Sequence, residues 1–203
     1  MAVTNLFSPS YLVGTYGLVG VITIVFAETG LLIGFFFPGD SLLFLAGAYA
    51  ASTKSGQPHL SLVPLLIGAS IAAVAGGFVG YGIGHLLGEK LFANPRSKIF
   101  RKKYIDRTQD VLERYGETKA VLVARVIPIV RTFISPVAGA IHMPFRQFVI
   151  ANTAGGIVWV VGIIMLGFAL GTSINIDRYI LPITAVIIVA SVIPLILEYR
   201  KQK

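Results

Sequence analysis

Six apolar stretches along the chain predict membrane segments of two kinds. Four of them have at least the roughly 17 residues that a helix needs to cross a bilayer, and they cover residues 10–27, 61–88, 147–171 and 179–198. The other two, residues 28–50 and 119–142, are interrupted by proline, glycine and charged side chains. Proline removes a backbone hydrogen bond and disfavours a straight helix, so we expect each of these two to form a re-entrant hairpin of half depth.

The first predicted hairpin, residues 28–50, turns at Pro38-Gly39, a dipeptide typical of turns. Each arm beside it has about ten residues, or about 15 Å as a helix, which is half of the hydrocarbon core. Asp40 follows the turn and can accept hydrogen bonds from the free N–H groups of the second arm. Glu28 begins the hairpin, so the segment carries two acids.

The second predicted hairpin contains the sequence ARVIPIVRTFISPVAGA, residues 124–140. An arginine at the centre of a bilayer costs roughly 2.5–3.5 kcal/mol, and arginine keeps its proton at any accessible pH. Arg125 and Arg131 stand on either side of Pro128, which is expected to bend or break the helix. This pattern favours a hairpin that lines a polar cavity.

Small residues recur at every fourth position of the segment 61–88, and these are Gly68, Ala72, Gly76, Gly80, Gly84 and Gly88. Such a stripe lets a second helix approach closely, and we interpret it as a packing surface. The alternative is that the stripe lines the path of a ligand.

The linker at residues 89–118 alternates charged positions with apolar and aromatic ones at helical spacing. We therefore predict an amphipathic helix that lies at the cytoplasmic headgroups. Attraction to anionic lipid explains its surplus of Lys and Arg.

Composition and charge indicate the class of protein and its orientation in the membrane. The chain has 203 residues, of which 55% are hydrophobic and 13% are charged, against about 25% charged in soluble domains. More than half of its 17 Lys and Arg lie between residues 89 and 119, and short basic loops stay cytoplasmic. Both termini are therefore predicted on the cytoplasmic side, with the two hairpins entering from opposite faces. That layout is an inverted repeat, which in many transporters holds the site near the midplane.

Other classes of site receive little support from the sequence. Cysteine is absent, and His59, His85 and His142 show no spacing typical of metal ligands. We therefore predict no metal site and no cofactor. The net charge of +8 flanks membrane segments, which disfavours nucleic-acid binding.

Four ionisable residues remain inside the hairpins: Glu28, Asp40, Arg125 and Arg131. If all four faced lipid, the cost would be on the order of 10–14 kcal/mol, as large as the stability of a domain. They are therefore expected to face each other or water. Ion pairs that only hold helices together are one alternative, although buried pairs are poor stabilisers. The interpretation we favour is a cavity that receives an anionic group, because arginine binds phosphate through two parallel N–H donors.

At these residues the chain resembles the DedA family, also called the VTT or SNARE-associated domain family. The motifs that carry the resemblance are Glu28, Phe37-Pro38-Gly39-Asp40, Gly80-Tyr81-Gly82-Ile83-Gly84, Ala124 to Thr132, Pro136 to Gly139, Asn152, Gly155-Gly156 and Trp159. The family often has an acid at the position of Gly77 and an arginine at that of His85, and this chain departs from it at both.

The resemblance implies an all-α polytopic protein of the bacterial inner membrane that transports lipid and is not an enzyme. Bacterial members are implicated in returning undecaprenyl phosphate across that membrane, in dependence on the proton-motive force, and distant eukaryotic relatives scramble phospholipids. Arg125 and Arg131 are then expected to bind the phosphate, while Glu28 and Asp40 carry protons. The residues expected to support this site are Pro38, Gly39, Pro128, Thr132 and Asn152.

The expected partners are a polyprenyl phosphate or a phospholipid, the membrane and protons, and a homo-oligomer is left open. A non-selective phospholipid scramblase and a proton-coupled antiporter of small cations are the alternatives. A lipid phosphatase is disfavoured, because Thr132 and Ser135 have no base near them in the sequence.

Overall fold

The described part of the chain is built from helices. The computed structural model describes residues 9–31, 39–52, 60–92, 116–125 and 128–173. Within these ranges the helices are α1 (Pro9–Gly30), α2 (Gly39–Ala51), α3 (Leu62–Phe92), α4 (Glu117–Ala124), α5 (Pro128–Ala140) and α6 (Phe145–Ser173).

Three of these helices can cross a membrane by length and composition, over Tyr11–Gly30, Leu62–Gly88 and Phe145–Gly171. They coincide closely with the first three predicted spans. The fourth, at residues 179–198, lies outside the described residues, as do most of the predicted cytoplasmic helix and Pro38. α1 runs on to Gly30, so Glu28 lies in the last turn of this helix rather than at the start of a hairpin.

Three short helices occupy the two segments predicted as hairpins. α2 and α5 have 13 residues each and α4 has 8. At about 1.5 Å per residue, none of them reaches the roughly 30 Å of a hydrocarbon core. α4 and α5 pack against each other, as the arms of a hairpin do; α4 ends at Ala124 and α5 begins at Pro128. The depth of these helices in the bilayer, and the face from which they enter, stay predictions.

The long helices expose large apolar side chains in rows, as membrane-facing helices do. On α3, Val63, Ile67 and Ile71 recur every fourth residue and are all more than half exposed. On α6, Ile150 and Val158 are exposed in the same way. Patches of this kind are unfavourable in water and favourable against lipid, which supports a multi-pass membrane protein.

The described residues divide into two compact units. The first, here called the terminal unit, takes its residues from 1–21, 38–65 and 163–203. In it, the end of α6 packs on α2 through glycine: a Cβ added at Gly47 would overlap the carbonyl oxygen of Ile164, and one at Gly167 would overlap that of Phe44. Small residues here allow two backbones to touch, as is common between membrane helices. α1 is interrupted in this unit at Gly17, which has φ 54°.

The second unit, here called the arginine unit, takes its residues from 22–37 and 66–162. The glycine stripe of α3 is its packing surface, as the sequence indicates. A Cβ at Gly76 would overlap the Thr29 hydroxyl on α1, and a Cβ at Gly84 would overlap the carbonyl of Pro136 on α5. The stripe therefore brings α1 and α5 against α3, with their backbones nearly in contact.

α5 lies at the centre of the arginine unit. Every residue from Val130 to Gly139 is buried, including Arg131, Thr132 and Ser135. A helix surrounded on all sides would ordinarily be entirely apolar. The polar side chains on α5 therefore need partners from the helices around it, and these partners form the candidate site.

Candidate functional site

Arg131 on α5 is held by two side chains from different helices. It forms a buried ion pair with Glu28, donating from Nη2 to Oε1 of the carboxylate on α1. The guanidinium carbon also lies 4.2 Å from the ring centroid of Trp159 on α6, a cation–π arrangement. Only 7% of Arg131 and 4% of Glu28 is exposed, so the pair is almost completely shielded from solvent.

Arg125 directly follows α4 and is held by an amide. Its Nη2 donates to Oδ1 of Asn152, and Nδ2 of Asn152 donates to the backbone carbonyl of Val74 at 3.1 Å. Asn152 is fully buried and thus links Arg125 to the backbone of α3. A Cβ at Gly77 would overlap the amide group of Asn152, so the absence of a side chain at Gly77 makes room for this link.

The two arginines belong to one electrostatic cluster. Arg125 interacts repulsively with Arg131 and attractively with Glu28. Among the described residues these three are the charged side chains that are buried, and their charges of +1, +1 and −1 sum to +1. Because a charge in an apolar interior is costly, an excess positive charge of this kind favours an anionic ligand.

Arg125 also has an unused donor. Its Nε is buried and has no hydrogen-bond partner within the described part of the chain. A buried donor without a partner costs about 1–3 kcal/mol, and more when the group is charged. Such an atom is rare in folded proteins and is expected where a ligand supplies the missing acceptor.

The structure brings together most of the site residues that the sequence predicts. Glu28, Arg125, Arg131 and Asn152 lie in the arginine unit and are linked by the contacts above. Thr132 is buried beside Arg131 on α5, and Pro128 begins that helix.

The predicted residues of the first hairpin are placed differently. Gly39 begins α2, and Asp40 lies half-buried in the first turn of that helix, in the terminal unit. Pro38 is outside the described residues. A proton-carrying role for Asp40 therefore stays a prediction.

Trp159 contacts Arg131 but is not among the residues that the sequence predicts to bind phosphate, carry protons or support the site. The signal for it is present in the sequence, because Asn152, Gly155, Gly156 and Trp159 recur at helical spacing on one side of α6. The glycines of this row make close contact possible: a Cβ at Gly155 would lie 3.1 Å from the Cγ of Arg125. One face of α6 thus contacts both arginines.

This arrangement defines a class: a multi-pass α-helical membrane protein in which two arginines and one glutamate are buried inside a unit of packed helices. Comparison with known proteins identifies the family. The VTT domain family matches residues 37–169, and the chain belongs to this family, which includes Protein DedA.

Several relatives match over most of their length. Protein DedA of Escherichia coli is 43% identical over 181 residues, which cover 89% of this chain and 80% of the relative. An uncharacterized membrane protein of Mycobacterium tuberculosis is 32% identical over 212 residues, covering 100% of this chain and 91% of the relative. One from Mycobacterium leprae is 33% identical over 185 residues, covering 89% and 80%. No solved structure matches the chain.

Proposed function

We propose that this protein is a lipid translocase that carries the phosphate head of a polyprenyl phosphate, such as undecaprenyl phosphate, across the membrane. No chemical step is part of the proposal. The observation that carries it is the buried cluster with an excess positive charge and an unused Arg125 donor. Membership of the DedA family and the resemblance described above support lipid as the cargo.

Phosphate suits this cluster for a geometric reason. The guanidinium group of arginine is planar and presents pairs of N–H donors that match two oxygens of a phosphate. Asn152 orients the guanidinium group of Arg125, and Glu28 and Trp159 orient that of Arg131. The paired N–H donors of each group, here called its fork, are therefore fixed before a ligand arrives. A preorganised site loses less side-chain entropy on binding.

Glu28 supplies the release mechanism in this proposal. Its carboxylate occupies part of the Arg131 fork in the structure, and a phosphate would compete with it for the same donors. A proton on Glu28 would neutralise the carboxylate and free Arg131 for the phosphate, while loss of the proton would favour release of the phosphate. Coupling to protons follows from this competition, and Asp40 is proposed as a second proton carrier.

The isoprenoid tail needs no polar path. Each buried CH₂ of a lipid chain contributes about 0.8 kcal/mol to membrane retention, so the tail stays in the bilayer while the head moves. A protein that shields only the phosphate charge would therefore remove most of the barrier to crossing.

Proteoliposomes that contain labelled undecaprenyl phosphate test the proposal. A phosphatase added outside the vesicles hydrolyses the phosphate heads that reach the outer leaflet, and the released phosphate gives the transport rate. We expect Arg131→Ala to abolish the protein-dependent rate. Arg131→Lys keeps the charge but loses the fork, and its rate should fall at least about tenfold, the equivalent of about 1.4 kcal/mol. Arg146→Ala is the matched control, because Arg146 is exposed and its loss should leave the rate unchanged.

The same vesicles separate the alternatives. Equal transport of phosphatidylcholine would identify a non-selective scramblase. Ion flux in vesicles without any polyprenyl phosphate would identify an antiporter. An undiminished rate in Arg131→Ala would end the assignment of this arginine.

A further inference from the structure

Two histidines that are 57 positions apart in the sequence meet at the turn between α5 and α6. The ring centroids of His85, on α3, and His142, in the turn, are 4.7 Å apart with an interplanar angle of 62°. Both side chains are exposed and both lie in the arginine unit. We propose that they form a binding site for a divalent transition metal ion such as Zn²⁺.

The distance between the rings fits a shared metal ion. Two imidazoles bound to one Zn²⁺ through Zn–N bonds of about 2.0–2.1 Å have ring centroids about 4.5–5.2 Å apart, for N–Zn–N angles from about 90° to the tetrahedral value. Imidazole is a good ligand for zinc, copper and nickel. Among the described residues no group of three or more His, Cys, Asp or Glu could hold a metal ion, so the proposed site takes two protein ligands from this part of the chain.

One ring is already set in the tautomer that a ligand needs. Nδ1 of His142 lies 3.1 Å from the carbonyl oxygen of Ala140, and a carbonyl can only accept, so the proton is on Nδ1. Nε2 of His142 is then the lone-pair nitrogen. Metal-binding histidines usually donate their second N–H to a carbonyl or carboxylate in this way, which fixes the ring.

The other ring is held by a stack. Tyr81, one turn earlier on α3, lies parallel to His85 with ring centroids 6.0 Å apart and planes 10° apart. The Tyr81 hydroxyl donates to the backbone carbonyl of Met143 at 2.6 Å, which ties α3 to the turn that carries His142. Both ligands are therefore positioned before a metal arrives.

The backbone at the end of α5 also fixes the position of His142. α5 ends in a Schellman motif, in which the N–H of His142 donates to Gly139 and that of Met143 to Ala138, both at 3.0 Å. The position of His142 in this motif is normally glycine, because φ there is positive, and His142 has φ 57°. Histidine is among the few non-glycine residues that adopt this conformation readily, and the motif fixes where the His142 side chain leaves the turn.

Titration of the purified protein with ZnCl₂ tests the site, using calorimetry and an affinity tag without histidines. We expect saturable binding of one Zn²⁺ per chain and a melting temperature that rises with zinc concentration, since a ligand that binds the folded state stabilises it. Loss of an outer-shell partner alone commonly costs about 10–100-fold in metal affinity, so His85→Ala and His142→Gly should each weaken binding at least about tenfold.

His142→Gly keeps the test decisive, because glycine is the preferred residue at this backbone position and the variant is expected to fold. Its melting temperature without zinc should match or exceed that of the wild type, and zinc should no longer raise it. His59→Ala, which changes the remaining histidine of the chain, should bind zinc like the wild type. A spectrum of bound Cu²⁺ showing two imidazole nitrogens would add direct support. Zinc binding that survives in both site variants, or no saturable binding, would overturn the proposal.

Discussion

Asn152→Asp changes the charge of the buried cluster while keeping its shape. In the structure, Asn152 accepts from Arg125 through Oδ1 and donates through Nδ2 to the carbonyl of Val74. An aspartate would keep the acceptor for Arg125, lose the donor, and bring the sum of the buried charges from +1 to 0. If the excess charge attracts the phosphate, this substitution should weaken phosphate binding more than the loss of the amide alone.

The size of the effect follows from distance. A carboxylate at position 152 would lie about 6–8 Å from a phosphate bound on the opposite side of the Arg125 guanidinium, and at an effective dielectric constant of about 20 two unit charges at that distance repel by about 2–3 kcal/mol. The dissociation constant should therefore rise by about 30- to 100-fold. The measurement is calorimetric titration of a short-chain prenyl phosphate into protein in detergent, at constant pH and salt.

Asn152→Ala is the control for charge. It removes both hydrogen bonds, so Arg125 loses its amide acceptor and the Val74 carbonyl loses its side-chain donor, which should lower stability by about 1–3 kcal/mol. Its cluster keeps the charge of +1, so its phosphate affinity should stay closer to that of the wild type. Equal weakening in the two variants would show that the amide acts by positioning Arg125, and wild-type affinity in Asn152→Asp would refute the electrostatic argument.

Three further substitutions test the ion pair and the packing. Glu28→Gln removes the carboxylate charge that pairs with Arg131, and breaking a buried pair costs up to about 3–5 kcal/mol. The melting temperature should fall and be partly restored by a prenyl phosphate, and an unchanged value would contradict the structural role of the pair. Gly84→Ala drives a Cβ into the carbonyl of Pro136 and should cost about 1–3 kcal/mol. Gly82→Ala meets no atom within 4 Å and should gain up to about 1 kcal/mol, so equal melting temperatures for the two alanine variants would argue against a packed glycine face.

The sequence predicts part of the ionic cluster, because exposing a charged side chain to lipid costs free energy. An isolated charge in an apolar segment is too costly to face lipid, so the four charged residues of the predicted hairpins are expected to face each other or water, and in the structure Glu28 and Arg131 form a buried ion pair. The partner of Arg125 follows no such rule. An amide, a carboxylate or a carbonyl could each accept its proton, and the choice of Asn152 depends on the space left at Gly77, which is visible only when the helices are assembled.

The histidine pair shows a second limit of the sequence. Metal-ligand motifs are recognised by short spacing on one element, whereas His85 and His142 are joined by the helix packing of α3 against α5 and by the turn that follows α5. That turn has a histidine where the Schellman motif usually has glycine, so composition gives no indication that α5 ends there. α1 also continues beyond residue 27, where the first predicted span ends: Glu28 ends the apolar run in the sequence, whereas the helix runs on to Gly30.

The contact between Arg131 and Trp159 gives the protein an internal optical reporter. Trp159 is the single tryptophan of the chain, and its indole lies 4.2 Å from the guanidinium carbon. Indole emission responds to the charge and polarity beside the ring, so any event that moves Arg131 or exchanges its counter-ion alters the intrinsic fluorescence of the whole molecule. Occupancy of the cluster can thus be followed in unlabelled protein, in real time and in membranes, when the excitation wavelength selects the indole over the 8 tyrosines of the chain.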